Sequence, residues 1–266
     1  MIRLPTPERA ILVRVAVDQK YGQWNAPCNP DTGDFVYVPI PQDEANVPGM
    51  ARGYLPVIGP AIQAFAARNS AAVALPGQLH DRRMHLDPDF DFLTYGDAER
   101  RGRELLKFNE NDWVVFYSGM RPVSGGTRLC YGLIGLFVID SVRRVADIPA
   151  PEYDRNAHTR LLHKTDTDIV VTGKPGLSGR FDRYMDIGEL RDGSYRVRRE
   201  LLEQWGGLTV NDGWIQRSAN PPLFREPARF AQWLQAQQVR LLPANNPLES
   251  LPTENQAVQD APAAVE

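Results

Sequence analysis

Two apolar runs, residues 113–117 (Trp-Val-Val-Phe-Tyr) and 133–139 (Leu-Ile-Gly-Leu-Phe-Val-Ile), constrain this chain more than any other feature. Both are β-branched and aromatic, of strand length, and too short to cross a bilayer. The Gly125-Gly126 pair between them is a turn signal. The first run follows Asp112 and continues to Ser118. The second belongs to a longer strand over 129–142, interrupted by Gly132 and Gly135. Glycines inside a strand mark a bulge, or a place where another backbone or a ligand comes close. The chain is therefore organised around a β-rich centre.

Flanking segments complete an α+β pattern. Residues 11–17 read as a strand ending at Asp18, and residues 35–41 (Phe-Val-Tyr-Val-Pro-Ile-Pro) as a second, closed by proline. Ile62, Phe65 and Ala66 lie at helical spacing in a helix over 61–68. Residues 84–97, rich in Asp, Pro and aromatics, read as an ordered loop. Asp97 is placed to cap a helix over 98–108. Further strands are expected at 168–172 and 195–198, and helices at 199–205 and 227–239, the last with Phe230, Trp233 and Leu234 inward. From Pro243 onward Pro, Asn, Ala and Glu dominate without periodicity. The expectation is one domain over 1–242 and a disordered acidic tail over 243–266.

With 266 residues, 42% hydrophobic and 24% charged, the chain can bury a core without disulfides or a structural metal. Cys28 and Cys130 are far apart and no CxxC occurs, which excludes a zinc-ribbon or disulfide framework and fits a reducing cytoplasm. The N-terminus has no apolar segment with a small-residue cleavage site, so a cytoplasmic protein without membrane contact is expected. The formal charge of −3 includes Glu249, Glu254, Asp260 and Glu266, and the body before them stands at +1. Residues 98–144 carry eight Lys or Arg against five Asp or Glu. That excess favours a phosphate-bearing partner, although a solvated surface of mixed sign has the same composition.

Four constellations could carry chemistry. In an extended chain His85, Asp87 and Asp89 point the same way, as an acid–base set or a metal-binding set. The plainer reading is an Asp87-Pro88 turn whose carboxylates satisfy loop amides, and no metal ligand and no cofactor are assigned. Thr94-Tyr95-Gly96-Asp97 runs into Arg100, Arg101 and Gly102 at a helix start, a natural seat for an anion. Tyr117 and Ser118 end a strand opposite Gly132 and Gly135, where a flat ring could stack, although tyrosines there serve equally as core. Asn156, His158 and His163 precede a small-residue stretch with Lys174, Ser178 and Arg180 among three glycines, which could hold a phosphate but is not a P-loop. His158 and His163 are five apart, a spacing that does not stack them on one helix face. No G-x-S-x-G, H-E-x-x-H or G-x-G-x-x-G occurs.

These residues carry two resemblances. Residues 111–119 (Asn-Asp-Trp-Val-Val-Phe-Tyr-Ser-Gly) followed by 132–138 (Gly-Leu-Ile-Gly-Leu-Phe-Val) resemble the central hairpin of PUA-like domains of the EVE and ASCH groups. That likeness implies a small twisted β-barrel whose cleft binds a base, often a modified one. A wider pattern is similar to the family called nucleotide modification associated domain 3. It comprises Val17-Asp18, the 35–41 block, the 85–90 block (His-Leu-Asp-Pro-Asp-Phe), Thr94 to Asp97, Arg101-Gly102, the Phe-Tyr-Ser-Gly strand end, and Asn156-x-His158 before Ser178. Gln42-Asp43-Glu44 departs from it, its acids shifted by one position. The family is associated with systems that modify bases in DNA, in phages and bacterial defence islands, and its name implies no defined activity.

The resemblance implies a nucleotide or nucleic-acid partner, DNA foremost, with a base-modifying enzyme as a further partner. Tyr117 or Tyr95 would stack on the base, and Asp97, Ser118 or Asn156 would read its Watson–Crick edge. Arg101, Arg121 and Lys174 would sit on flanking phosphates. The expected function is binding of a modified nucleotide or base. The alternative is an enzyme on nucleotides or DNA bases, a hydrolase or transferase, with Asp18, His85, Asp87, Asp89 and His158 as candidate catalytic groups.

Overall fold

The computed structural model describes residues 3–216 and 220–248. In chain order the strands are β1 (Ala10–Arg14), β2 (Pro27–Cys28), β3 (Ile40–Gln42), β4 (Arg83–His85), β5 (Thr94–Asp97), β6 (Trp113–Pro122), β7 (Cys130–Arg144), β8 (Ile169–Gly173), β9 (Gly179–Asp186), β10 (Gly188–Arg191), β11 (Ser194–Val197) and β12 (Leu241–Leu242). The helices are α1 (Tyr54–Arg68), α2 (Gly77–His80), α3 (Glu99–Leu105), α4 (Ala157–Arg160), α5 (Arg199–Trp205) and α6 (Pro227–Ala236). Among the described residues no helix is long and apolar enough to cross a membrane.

The two apolar runs are the paired centre of one mixed sheet. Its main path runs β1-β6-β7-β8-β5, with β2 extending β6 and β9 branching from β7 to β12. β1 and β2 run parallel to β6, and the other pairings are antiparallel. No pairing among the described residues joins β1 to β5, so no closed barrel is found and the sheet is open.

Strand periodicity divides the core into two layers. On β6, Val114 and Phe116 enter one cluster with Tyr37, Phe65, Phe90, Tyr95 and Phe137. Trp113, Val115 and Tyr117 enter the other, with Leu133, Phe181, Trp205 and Phe230. Successive side chains point to opposite faces, so a strand covered on both sides reads as a continuous apolar run. The register shifts between Phe116 and Tyr117. Gly135, opposite Phe116, admits a close approach from both directions. A Cβ there would lie 2.6 Å from Phe90 and 2.9 Å from the Gly179 carbonyl.

Several local expectations change. The first helix begins at Tyr54 and carries Pro60 inside it, with Pro56 and Pro60 both on its exposed face. There the missing amide costs less, because water can reach the carbonyl it leaves unbonded. The 84–97 stretch is not all loop: its ends are β4 and β5, which pair with β3 and β8. Asp97 closes β5 instead of capping α3, whose N-cap is Ala98. Arg180 lies in β9 and Ser178 in the turn that enters it, both buried, in the stretch that the sequence marks as able to hold a phosphate.

The described body continues past Leu242. Asn245 accepts from the Phe90 amide (2.8 Å) and donates to Asp89 (3.0 Å) and Asp91 (2.7 Å), while the Asn246 side chain accepts from the Tyr37 amide and donates to the Tyr37 carbonyl. Residues 249–266, the rest of the expected tail, lie outside the described residues. A chain ended after Leu242 leaves these buried groups unpaired, and each costs about 1–3 kcal/mol. We expect it to be about 2–4 kcal/mol less stable in urea unfolding than a chain ended after Leu248. Equal midpoints would show that the Asn245 contacts contribute nothing.

Candidate functional site

β5 and the loops around it bring together side chains that are distant in sequence. β5 pairs with β8, and α4 packs against β5, so His158 and Asp168 reach the 85–87 segment at the end of β4. Asn156 fixes the junction. Its side chain accepts from the His158 amide (2.8 Å) and donates to Asp87 (3.2 Å) and Thr94 (3.3 Å). Asp87 accepts the Gly96 amide with both oxygens, at 2.8 and 2.9 Å.

The result is a compact His–Asp–His cluster. Asp87 Oδ2 lies 3.9 Å from His85 Nε2 and 3.7 Å from His158 Nε2, and the two rings meet edge to face at 4.9 Å between centroids. The other ring nitrogens face acceptors. His158 Nδ1 is 3.1 Å from Asp168, whose second oxygen accepts the Thr165 amide. His85 Nδ1 is 3.1 Å from Gln42 Oε1, and the Gln42 amide nitrogen is turned away to Glu44 and Asn46. His85 Nε2, Asp87 Oδ2 and His158 Nε2 converge, and this trio's ligand atoms all lie within 4.8 Å of one another, close enough to share a metal ion.

Burial sets the electrostatics. It pushes the Asp87 carboxyl up to about 7, against the opposing pull of His158 and the Gly96 amide. It holds His85 well below the usual imidazole range, with the His158 charge adding to the effect. Burial also disfavours charge on His158, but the Asp168 hydrogen bond and the Asp87 charge more than reverse this and raise it. Two adjacent imidazoles are thus driven in opposite directions, a pattern typical of functional sites.

The cluster opens into a cleft of about 690 Å³, a volume suited to one nucleotide-sized molecule. Arg14, Lys20, Arg100 and Arg101 contribute to its walls. Asp18 accepts the Lys20 and Tyr21 amides (2.9 and 2.8 Å) and pairs with Arg14 at 3.2 Å, so it shapes this wall. Asp97 pairs with Arg101 at 3.1 Å and accepts from the Tyr95 hydroxyl at 2.5 Å.

Other singled-out residues lie elsewhere. Asp89 is buried against Arg160 at 2.7 Å, on a path leading away from the cluster. Tyr117 faces the second core layer and donates to the Ile215 carbonyl, and Ser118 is buried opposite Gly132. Lys174 binds Glu110 and Asn111. Ser178 is buried against the Val138 backbone, and Arg180 donates to the Phe35 carbonyl with its guanidinium over the Phe35 ring. His163 is exposed, and Arg121 donates to the Thr127 carbonyl. Gln42, Asp168, Arg14, Lys20 and Arg160 were not assigned roles from sequence. Strand pairing brings Gln42 to His85 and Asp168 to His158, whereas Arg14 pairs with Asp18, four residues on.

Gly96 is required by this packing. A Cβ there would stand 2.3 Å from His158 and 2.7 Å from Asn156. Gly96→Ala is therefore expected to displace His158 and cost about 1–3 kcal/mol. Circular dichroism should show an intact fold with a lowered melting temperature, and an unchanged melt would contradict the packing.

A family model described as nucleotide modification associated domain 3 matches residues 9–222. No curated protein and no solved structure matches the chain.

Proposed function

Because the chain belongs to the nucleotide modification associated domain 3 family, we propose that its cleft takes a nucleotide, free or within a DNA strand, and acts on it as an enzyme. The observation that carries this reading is the convergence of His85, Asp87 and His158 at a cleft walled by Arg14, Lys20, Arg100 and Arg101. The cations are suited to a phosphate. The His–Asp–His cluster is suited to activating a nucleophile or moving a proton, with Asp168 orienting His158.

A reader without catalysis would need an aromatic face on which the base stacks. Tyr95 and Tyr117, the tyrosines that would serve, are 4% and 1% exposed with their hydroxyls engaged. That burial removes both from stacking and leaves half-buried Tyr21 as the cleft-lining aromatic a reader would use, so it is the His–Asp–His cluster that favours the enzyme. Asp97 and Asn156 act through neighbours here: Asp97 holds Tyr95 and Arg101, and Asn156 positions Asp87 and His158.

The test is a panel of ordinary and modified nucleotides, with short single-stranded and duplex DNA, incubated with the full chain and analysed by mass spectrometry. The reading predicts conversion of one nucleotide class and loss of that conversion in Asp87→Asn. Saturable binding without any product would favour the reader, and neither binding nor product would remove the nucleotide from the account. Conversion of DNA but not of mononucleotides would place the substrate in a strand.

A further inference from the structure

We propose that His85, Asp87 and His158 hold a divalent transition-metal ion whose remaining coordination positions open into the cleft. The use of that ion rests on the enzyme reading above, whereas its binding does not.

The argument begins with protons. The Gln42 amide nitrogen donates to the Glu44 carbonyl and to Asn46, so the oxygen facing His85 Nδ1 is an acceptor and Nδ1 carries the hydrogen. Asp168 likewise accepts from His158 Nδ1. In the neutral tautomers both Nε2 atoms then present lone pairs. They face Asp87 Oδ2 at 3.9 and 3.7 Å, too far for a direct hydrogen bond. Three lone-pair atoms aimed at one point repel each other unless a proton or a metal ion lies between them, and gaps of 3.7 and 3.9 Å are wider than a shared proton spans.

The surroundings match what a metal site requires. Each imidazole is anchored through its far nitrogen, one by a carboxylate and one by an amide oxygen, which fixes the tautomer and aims Nε2. Asp87 is held by the Gly96 amide and by Asn156, so its second oxygen is oriented toward the histidines. Asp87 is buried and the two histidines are half-buried, and all three line the cleft. Three protein ligands beside open space is the arrangement of a catalytic centre, in contrast to a closed structural one. Two imidazoles and one carboxylate select manganese, iron, cobalt or zinc over magnesium and calcium, which favour oxygen ligands. The ion would also reverse the local sign at a floor containing Asp87 and Asp97, where a phosphate would otherwise meet carboxylates.

The test uses the full chain without a nucleotide. Protein purified without chelator is analysed for metals by mass spectrometry, then stripped and titrated with Co²⁺ while visible absorption is recorded. The proposal predicts about one metal per chain and a saturable cobalt spectrum showing nitrogen ligation. His85→Ala and His158→Ala should weaken binding more than about 100-fold, and exposed His163→Ala should leave it unchanged. Asp168→Asn retains every ligand and should weaken binding about 10–100-fold, which keeps the test decisive if an alanine variant misfolds. No cobalt spectrum, or equal affinity in wild type and His85→Ala, would overturn the proposal. Metal binding without conversion of any nucleotide would uphold it and remove the enzyme reading. Full conversion by stripped protein in chelator would uphold the enzyme reading and remove the ion from its chemistry, leaving the cobalt titration to decide binding.

Discussion

Arg160→Met is expected to destabilise the protein by about 3–5 kcal/mol at pH 8, the largest loss we assign to any single side chain. Arg160 and Asp89 are 2% and 1% exposed, and their ion pair measures 2.7 Å. Arg160 also donates twice to the Asp154 carbonyl, at 2.9 and 2.7 Å, and its own carbonyl accepts the Val47 amide. Removing the guanidinium leaves a buried carboxylate with Asn245 and the Asp91 amide as its remaining donors. Burial already raises the Asp89 carboxyl above its ordinary 3.8, and Arg160 is the main force opposing that rise.

The pH dependence follows from the sign of that shift. Without Arg160 the folded-state value climbs further above the unfolded one. A group raised on folding contributes stability that is present below its unfolded value and is lost as pH rises through the folded value. The deficit of Arg160→Met should therefore be smaller at pH 5 than at pH 8. Adding Asp89→Asn should recover part of it, because the uncompensated charge is gone. Urea unfolding at both pH values checks this. A deficit below about 1 kcal/mol, independent of pH, would show that the pair does not behave as a buried one.

The second large effect concerns turnover. His158→Ala is expected to lower kcat for the nucleotide substrate by about 10²–10⁴, the range associated with loss of a positioned acid–base group or its equivalent. Nucleotide affinity should change only a few-fold, because the proposed phosphate contacts lie on another wall. Arg101→Ala should show the opposite division, raising KM with a smaller change in kcat. Arg101 lies at the start of α3, 3.1 Å from Asp97, while His158 stands across β5 against Asp168. If both variants changed KM alone, binding without catalysis would account for the cleft.

Much of the architecture could be read from the chain because it depends on short-range pattern. The continuous apolar runs at 113–117 and 133–139 became β6 and β7, and α6 followed its 3.6-residue periodicity, with Phe230 and Leu234 buried. The open sheet was not legible, since closure depends on which distant strands pair. The 85–90 block was visible as a polar cluster, but its alternation proved misleading. Asp87 turns to Gly96 and the histidines, whereas Asp89 turns to Arg160 and Asn245. Strand alternation holds only while the chain stays extended, and this segment leaves β4 at His85. His158 was singled out for its neighbours Asn156 and His163, yet its partners are Asp168, ten residues on, and His85, seventy-three residues earlier. The β5–β8 register creates that meeting, and no local spacing encodes it.

The most direct test of the cleft as the nucleotide site is imidazole nitrogen NMR of the uniformly labelled protein, which has four histidines. In metal-free protein at neutral pH, His85 should appear as the neutral tautomer protonated at Nδ1, with Nε2 unprotonated. Adding the converted nucleotide should shift His85 and His158 and leave His80 and His163 in place. Shifts confined to His80 or His163, or no shift while the nucleotide is being converted, would place the chemistry elsewhere and contradict the account.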